Sequence, residues 1–319
     1  MNLKFITAPK YFTAPKILEF LEECVQLFPL KGTRTPGYVF DLMKVRECSM
    51  LGTLVFYKII EYTLTNNCFY RPSIAFNYEE PVTIEAFKRF GFWDLIMDYM
   101  EDRSGVERSY KKLEIKVEDN FIIAPQALLR EGNFSSRALR ENFLPQIEEY
   151  YSFNPKAVSM IFLCLSEVLL NFWEHAVHDT KSIIVANGRK NNIEIACADT
   201  GRGIISTLEE GAGLKARSPS LILAKSVQKG ITSKKGTDHM GFGLWILDQL
   251  VKLVKGRLHI YSQGAYYIND FGKIKTGDCA YWGGTIVYLS LPLNDPKTLS
   301  DIEGHSENSK LQKLKINWS

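Results

Sequence analysis

The chain has 319 residues, is 45% hydrophobic and 24% charged, and carries a formal net charge of +3. Those proportions are globular, the length suits two domains, and so small a charge gives no indication of nucleic-acid binding. The six cysteines have neither a CxxC pair nor metal-ligand spacing, which argues against a zinc ribbon and favours thiols in a reducing compartment.

The N-terminus lacks the long apolar core of a signal peptide. The most apolar runs, 50–60 and 158–170, are broken by Lys58 and Glu167 and fall short of the roughly 18 residues that span a bilayer. A cytoplasmic protein with no membrane contact is expected.

Within residues 1–102, apolar spacing predicts a helix over 17–28, a strand over 38–45 and a helix over 50–64. A short strand over 72–77 and a short helix over 84–90 follow. This alternation implies a small sheet with crossover helices. The run Phe40-Asp41-Leu42, Cys48 to Gly52 opening an apolar helix, and Phe87 to Gly91 resembles a STAS domain (sulfate transporter and anti-sigma-factor antagonist). In that family a serine at the strand-to-helix turn can accept phosphate, and Ser49 is the nearest match. The family's Asp-Ser-Ser-Gly is absent, so Ser49 reads as a helix N-cap.

Residues 103–154 read as a linker and lead-in, with a strand candidate over 113–123 ended by Pro125 and a polar helix over 136–150. The tail, 294–319, is polar and reads as mobile.

Residues 155–293 carry the chemistry. A long apolar-periodic helix begins near Lys156 and places Glu167, Asn171 and His175 along one stripe, each one turn from the next. A carboxylate and an amide on an otherwise buried helix are costly unless they have work to do. An Asn carbonyl can ligate a hard cation, and a carboxylate one turn away can take a proton. His175 suits a structural hydrogen bond. Strands over 183–186 and 193–198, with a turn at Asn187-Gly188, form a predicted hairpin that delivers Asp199 and the run Asp199-Thr-Gly201-Arg-Gly203. Residues 205–240 read as a loop with hinge candidates at Gly211, Gly213, Gly230 and Gly236. Lys215, Arg217, Lys225, Lys229, Lys234 and Lys235 concentrate positive charge there. Gly241-Phe242-Gly243-Leu244 feeds a helix over 245–254, and a glycine turn before a helix N-terminus offers N–H groups to phosphate. Gly256 is expected to end that helix. Strands over 258–261 and 285–291 complete the sheet, the second opening on Gly284-Thr285.

In this order, the segments from Glu167 to Asn171, from Asp199 to Gly203, and from Gly241 to Leu244 resemble the N, G1 and G2 boxes of the GHKL superfamily (gyrase, Hsp90, histidine kinase, MutL). The resemblance implies an α/β chain whose C-terminal part is a Bergerat-type two-layer sandwich of mixed sheet and helices, with a smaller STAS-like domain before it. It implies an Mg2+–ATP site in which Glu167 is the general base and Asn171 the metal ligand. Asp199 would read adenine with support from Thr285. Gly201, Gly203, Gly241, Phe242, Gly243 and Leu244 would line the site. Thr232, Ser233 and Lys234 would reach the terminal phosphate under a lid at 205–240. Asn171 is followed by Phe172 where relatives usually carry Ala.

No histidine precedes His175, so a histidine autokinase acting in cis is excluded. The readings that stand are an ATP-hydrolysing or ATP-gated switch, a protein serine/threonine kinase of the anti-sigma-factor type acting on a STAS-type partner, and a nucleotide sensor without turnover. ATP, a partner protein and a second copy of the chain are the expected partners.

Overall fold

The computed structural model describes residues 3–28, 37–66, 72–97, 121–128, 138–175, 182–212, 218–231 and 242–305. The N-terminal segment holds a parallel sheet of β1 (Leu3–Thr7), β3 (Gly37–Asp41) and β5 (Ser73–Ala75), in the order β1-β3-β5. A two-residue strand, β2 (Tyr11–Phe12), pairs with β4 (Glu47–Cys48). Helices α1 (Ile17–Cys24), α2 (Met50–Thr65), α3 (Val82–Arg89) and α4 (Trp93–Met97) complete it. The five elements predicted here are present within a few residues, whereas β1, the short strands β2 and β4, and α4 were not foreseen.

Helix α2 starts where its chemistry says it should. Ser49 is the N-cap, its Oγ accepting from Gly52 N at 3.2 Å, which satisfies one of the helix's orphan donors. Nearly every residue from Met50 to Glu61 is buried, and a helix apolar all round belongs between layers. On one side Phe56 meets Phe40 of β3 edge to face at 5.5 Å and stacks on Phe87 of α3 at 5.2 Å. Across the same core lie Ile183, Val185, Ala196, Ala198 and Ile286 of a second, larger sheet. The fully buried Lys58 is neutralised within the helix by Glu61 at 2.5 Å.

The larger sheet has seven strands in the order β11-β10-β9-β12-β8-β7-β6. They are β6 (Phe121–Leu128), β7 (Ser182–Arg189), β8 (Asn192–Ala198), β9 (Arg257–Ser262), β10 (Ala265–Asp270), β11 (Lys273–Asp278) and β12 (Thr285–Pro292). Where a mixed sheet was expected, every neighbouring pair is antiparallel. Pro125 does not end its strand: it sits inside β6, at the sheet's edge, where the pairing with β7 shifts register between Ile123 and Gln126. An edge bulge is where a residue without an N–H fits. Of the strand candidate 113–123, residues 113–120 lie outside the described residues.

The hairpin predicted before Asp199 forms, but its turn is elsewhere. Asn187 pairs with Glu194 and Gly188 with Ile193 inside the ladder, and the chain reverses at Lys190-Asn191. Burial overrides the Asn-Gly signal: β7 alternates between two cores, Ile183 and Val185 facing α2, Ile184 and Ala186 facing the other side.

That other side is covered by α5 (Leu144–Tyr150), α6 (Pro155–His175), α7 (Ile204–Gly211), α8 (Pro219–Ser226), α9 (Gly243–Val254) and α10 (Leu299–His305). Residues 155–172 of α6 are apolar enough to cross a membrane by length and composition, yet half of that window is buried in the sandwich. The predicted lid at 205–240 is helical over much of its described part. Ile205 and Leu208 of α7, with Ile222 and Leu223 of α8, are buried in the core and form wall rather than cover. Gly256 follows α9, but the left-handed residue that ends the helix is Lys255 (φ 54°). Gly256 is required for a different reason: a Cβ there would stand 2.5 Å from the Ser290 carbonyl oxygen.

Candidate functional site

The sandwich brings the sequence-predicted residues into two clusters on its helical side. The first lies where α6 meets the start of α9. Glu167 and Asn171 are half-buried near the C-terminal part of α6. Asn171 Nδ2 donates to the Glu167 carbonyl at 2.7 Å, which fixes the amide and turns Oδ1 away from the helix backbone. A Cβ on Gly243 would come within 2.6 Å of Glu167 Oε2 and 3.3 Å of Asn171 Nδ2. The N-terminus of α9 therefore abuts the carboxylate and the amide at once, and any side chain added there would displace the Glu167 carboxylate.

Helix α9 begins without a side-chain cap: Phe242 occupies the N-cap position and contributes no hydrogen bond from its side chain. Such an end presents backbone N–H groups and the positive end of the helix dipole. Leu244 and Trp245 are buried behind it. The Lys229 ammonium lies 5.7 Å from the Phe242 ring centre and 5.1 Å from that of Trp245, so one lysine of the basic group is held at this helix end by cation–π attraction. Gly230, next to it, has φ +79°, a conformation that glycine adopts at no steric cost. Thr232, Ser233, Lys234 and Gly241 lie outside the described residues, as do the side chain of His175, Lys215, Arg217, Lys235, Gly213 and Gly236.

The second cluster is built around Asp199 at the end of β8, which is buried. Its Oδ1 accepts from Gly201 N at 2.7 Å and its Oδ2 from Thr285 N at 3.2 Å. Its own N–H donates to the Thr285 carbonyl at 2.9 Å. The two backbone donors orient the carboxylate, which offers about four acceptor sites. Gly284 makes this geometry possible, because a Cβ there would lie 2.2 Å from Asp199 Oδ1. Thr285 thus supports Asp199 through its backbone; its hydroxyl instead lies 3.3 Å from Ser262 Oγ.

Gly203 begins α7 with φ +78°, and a Cβ there would meet Gln263 Oε1 at 2.6 Å. Gln263 escaped the sequence reading. Its Oε1 accepts from Ser206 N at 2.8 Å, its Nε2 bonds Ser206 Oγ, and it ties the turn after Asp199 to the β9–β10 hairpin. Ser262 also escaped it: Oγ donates to the Gly284 carbonyl at 2.8 Å and accepts from Ile204 N at 3.1 Å. Neither carried a local signal, since each acts only through strands remote in sequence. Arg202, between the two glycines, pairs with Glu210 of α7.

The clusters share one core. Ile204 and Ile205, just after the Asp199 turn, pack in the same apolar body as Val168, Leu169 and Phe172 of α6 and Leu244 of α9. Phe172, where an alanine was noted as usual, is buried there and fills it. Among the described residues no group of three or more His, Cys, Asp or Glu gathers as a metal cage. Residues 158–295 match the family model described as "Histidine kinase-, DNA gyrase B-, and HSP90-like ATPase". No curated protein matches the chain.

Proposed function

We propose, from the match of residues 158–295 to the model of histidine kinase-, DNA gyrase B- and HSP90-like ATPases, that the chain binds Mg2+–ATP between α6 and α9 and works as an ATP-hydrolysing or ATP-gated switch. The observation that carries this reading is the meeting of two sequence-distant segments at one point: Glu167 and Asn171 of α6, and the glycine that opens α9. Asn171 Oδ1 would hold the magnesium ion, which when bound neutralises phosphate charge. The N–H groups opening α9 would receive phosphate oxygens. Asp199, fixed by Gly201 and Thr285, would accept the adenine amino group, with Gly203 leaving the backbone close to the base. Glu167 would take the proton of a water attacking the terminal phosphorus; the bond from that phosphorus to the bridging oxygen breaks and ADP carries the electron pair away.

The test is incubation with γ-labelled ATP and Mg2+, following free phosphate and protein-bound label together. Free phosphate, lost in Glu167→Ala while ATP still binds, supports the reading. Label on protein would assign a serine/threonine kinase instead. Binding without either product would assign a nucleotide sensor.

A further inference from the structure

The carbonyl oxygen of Asp199 accepts from Trp282 Nε1 at 2.8 Å. The other Asp199 groups described above bond to its own turn and to strand β12, and the indole adds a support from the stretch before β12. Trp282 is fully buried and faces away from the helical layer, in the core shared with α2. Its neighbour there is Phe28, at the end of the helical segment that begins with α1. The two rings stand edge to face with centres 5.4 Å apart.

Phe28 is itself held by the N-terminal segment. Its ring lies 4.7 Å from that of Tyr62 on α2, and its carbonyl accepts from Tyr62 Oη at 3.4 Å. A Cβ on Gly283 would touch the Phe28 ring at 3.4 Å and the Thr200 carbonyl at 3.6 Å. Phe28 therefore reaches the stretch beside the base-reading turn, from the opposite face of the sheet to Glu167 and Asn171.

We propose that Trp282 is a positioning residue for Asp199, and that through Phe28 the N-terminal segment sets how well the site tells adenine from guanine. The inference rests on the reading of Asp199 as the adenine acceptor. Removing the indole N–H withdraws a hydrogen bond from the Asp199 backbone, the turn that carries the carboxylate shifts, and the adenine amino group meets a less well aligned acceptor. Guanine, which has no amino group at that position, loses nothing by the same change.

The experiment measures ATP and GTP dissociation constants for the full chain and for Trp282→Phe, Phe28→Ala and Phe28→Tyr, with thermal unfolding of each. Trp282→Phe keeps most of the ring and should weaken ATP about fivefold, as expected for one neutral hydrogen bond, with GTP unchanged. Phe28→Ala should narrow the ATP:GTP ratio in the same direction, and Phe28→Tyr should restore it. A purely structural role would lower both affinities together or neither, and that result overturns the proposal. Should Trp282→Phe fail to fold, the half-buried Phe28 pair decides it by the same ratio. Asp199→Asn separates the two ideas. If it abolishes discrimination while Trp282→Phe and Phe28→Ala leave the ratio intact, the positioning role fails and the adenine reading stands. If the unaltered chain does not prefer ATP, the adenine reading fails and this inference falls with it.

Discussion

Gly284 and Asp199 are so close that a methyl group on the glycine would stand 2.2 Å from Oδ1 and 2.4 Å from the backbone oxygen of the aspartate. Both atoms belong to a tightly bonded turn, and neither can retreat as a flexible side chain would. Gly284→Ala should therefore weaken ATP binding at least about tenfold, the effect of roughly 1.4 kcal/mol of misalignment. At Gly283 the nearest atoms are 3.4 Å away, an ordinary contact, and the corresponding alanine should bind within about a factor of two. Calorimetric titration of both variants with ATP checks the contrast. Equal affinities would remove the assigned role of the turn.

Gly243→Ala makes a different demand. Its new methyl would press on Glu167 Oε2 at 2.6 Å, the free end of a side chain that can swing aside. The fold should survive with little change in melting temperature. Phosphate release should fall, because the carboxylate is displaced. A variant that melts far below the unaltered chain would show that the glycine serves packing instead.

Asn171→Ala removes the amide oxygen and, with it, the Nδ2 group that donates to the Glu167 carbonyl. Nucleotide affinity should become insensitive to magnesium, as a titration with and without EDTA would show. In Glu167→Ala, phosphate release should drop by about 10²–10⁴-fold, the usual weight of general-base catalysis, with ATP affinity retained. A Glu167 variant of full activity would end the general-base assignment.

A pH dependence follows from β9 and β10. His259, fully buried, bonds Asp270 Oδ1 at 2.8 Å through Nε2 and Tyr261 Oη at 3.2 Å through Nδ1. The hydrogen bond from His259, helped by its charge and that of Arg257, holds the Asp270 carboxyl below the usual carboxylate range against the opposing effect of burial. A depressed carboxylate stabilises the fold at pH values above its unfolded pKa of about 4, and that contribution disappears as pH falls through the folded value. Asp270→Asn should thus lower the melting temperature at pH 6 and converge on the unaltered chain below about pH 3. Parallel melting curves down to that pH would contradict it.

How far the sequence disclosed this arrangement depends on whether a residue acts through near or distant neighbours. Ser49, Glu167, Asn171 and Gly243 were legible because a cap, a helical stripe and a glycine turn are local patterns. The hairpins β9–β10 and β10–β11 were missed. Their turns are Gln263-Gly264 and Phe271-Gly272, with φ of 46° and 88° at the first and 57° and 88° at the second. Those are primed hairpin turns built with a glutamine and a phenylalanine where Asn or Asp is usual. Asn187-Gly188 had the stronger turn signal and lies within a strand, because two-sided burial fixed the register. Trp282 and Gln263 were invisible for a third reason: their partners, Asp199 and Ser206, lie far from them in sequence.

The seven-stranded sheet has no solvent-facing side in the stretch where α2 crosses β7 and β8. Ile183, Val185, Ala196 and Ala198 are sealed by the N-terminal segment as tightly as their alternate neighbours are sealed by α6 and α9. The two segments are thus halves of one interior, and the nucleotide-binding half does not own its back wall. Expressed alone from residue 155 onward, it would lose an edge strand and bare a contiguous greasy surface, the condition that drives clumping. A single protease cut between residues 98 and 120 would instead leave two polypeptides travelling as one particle.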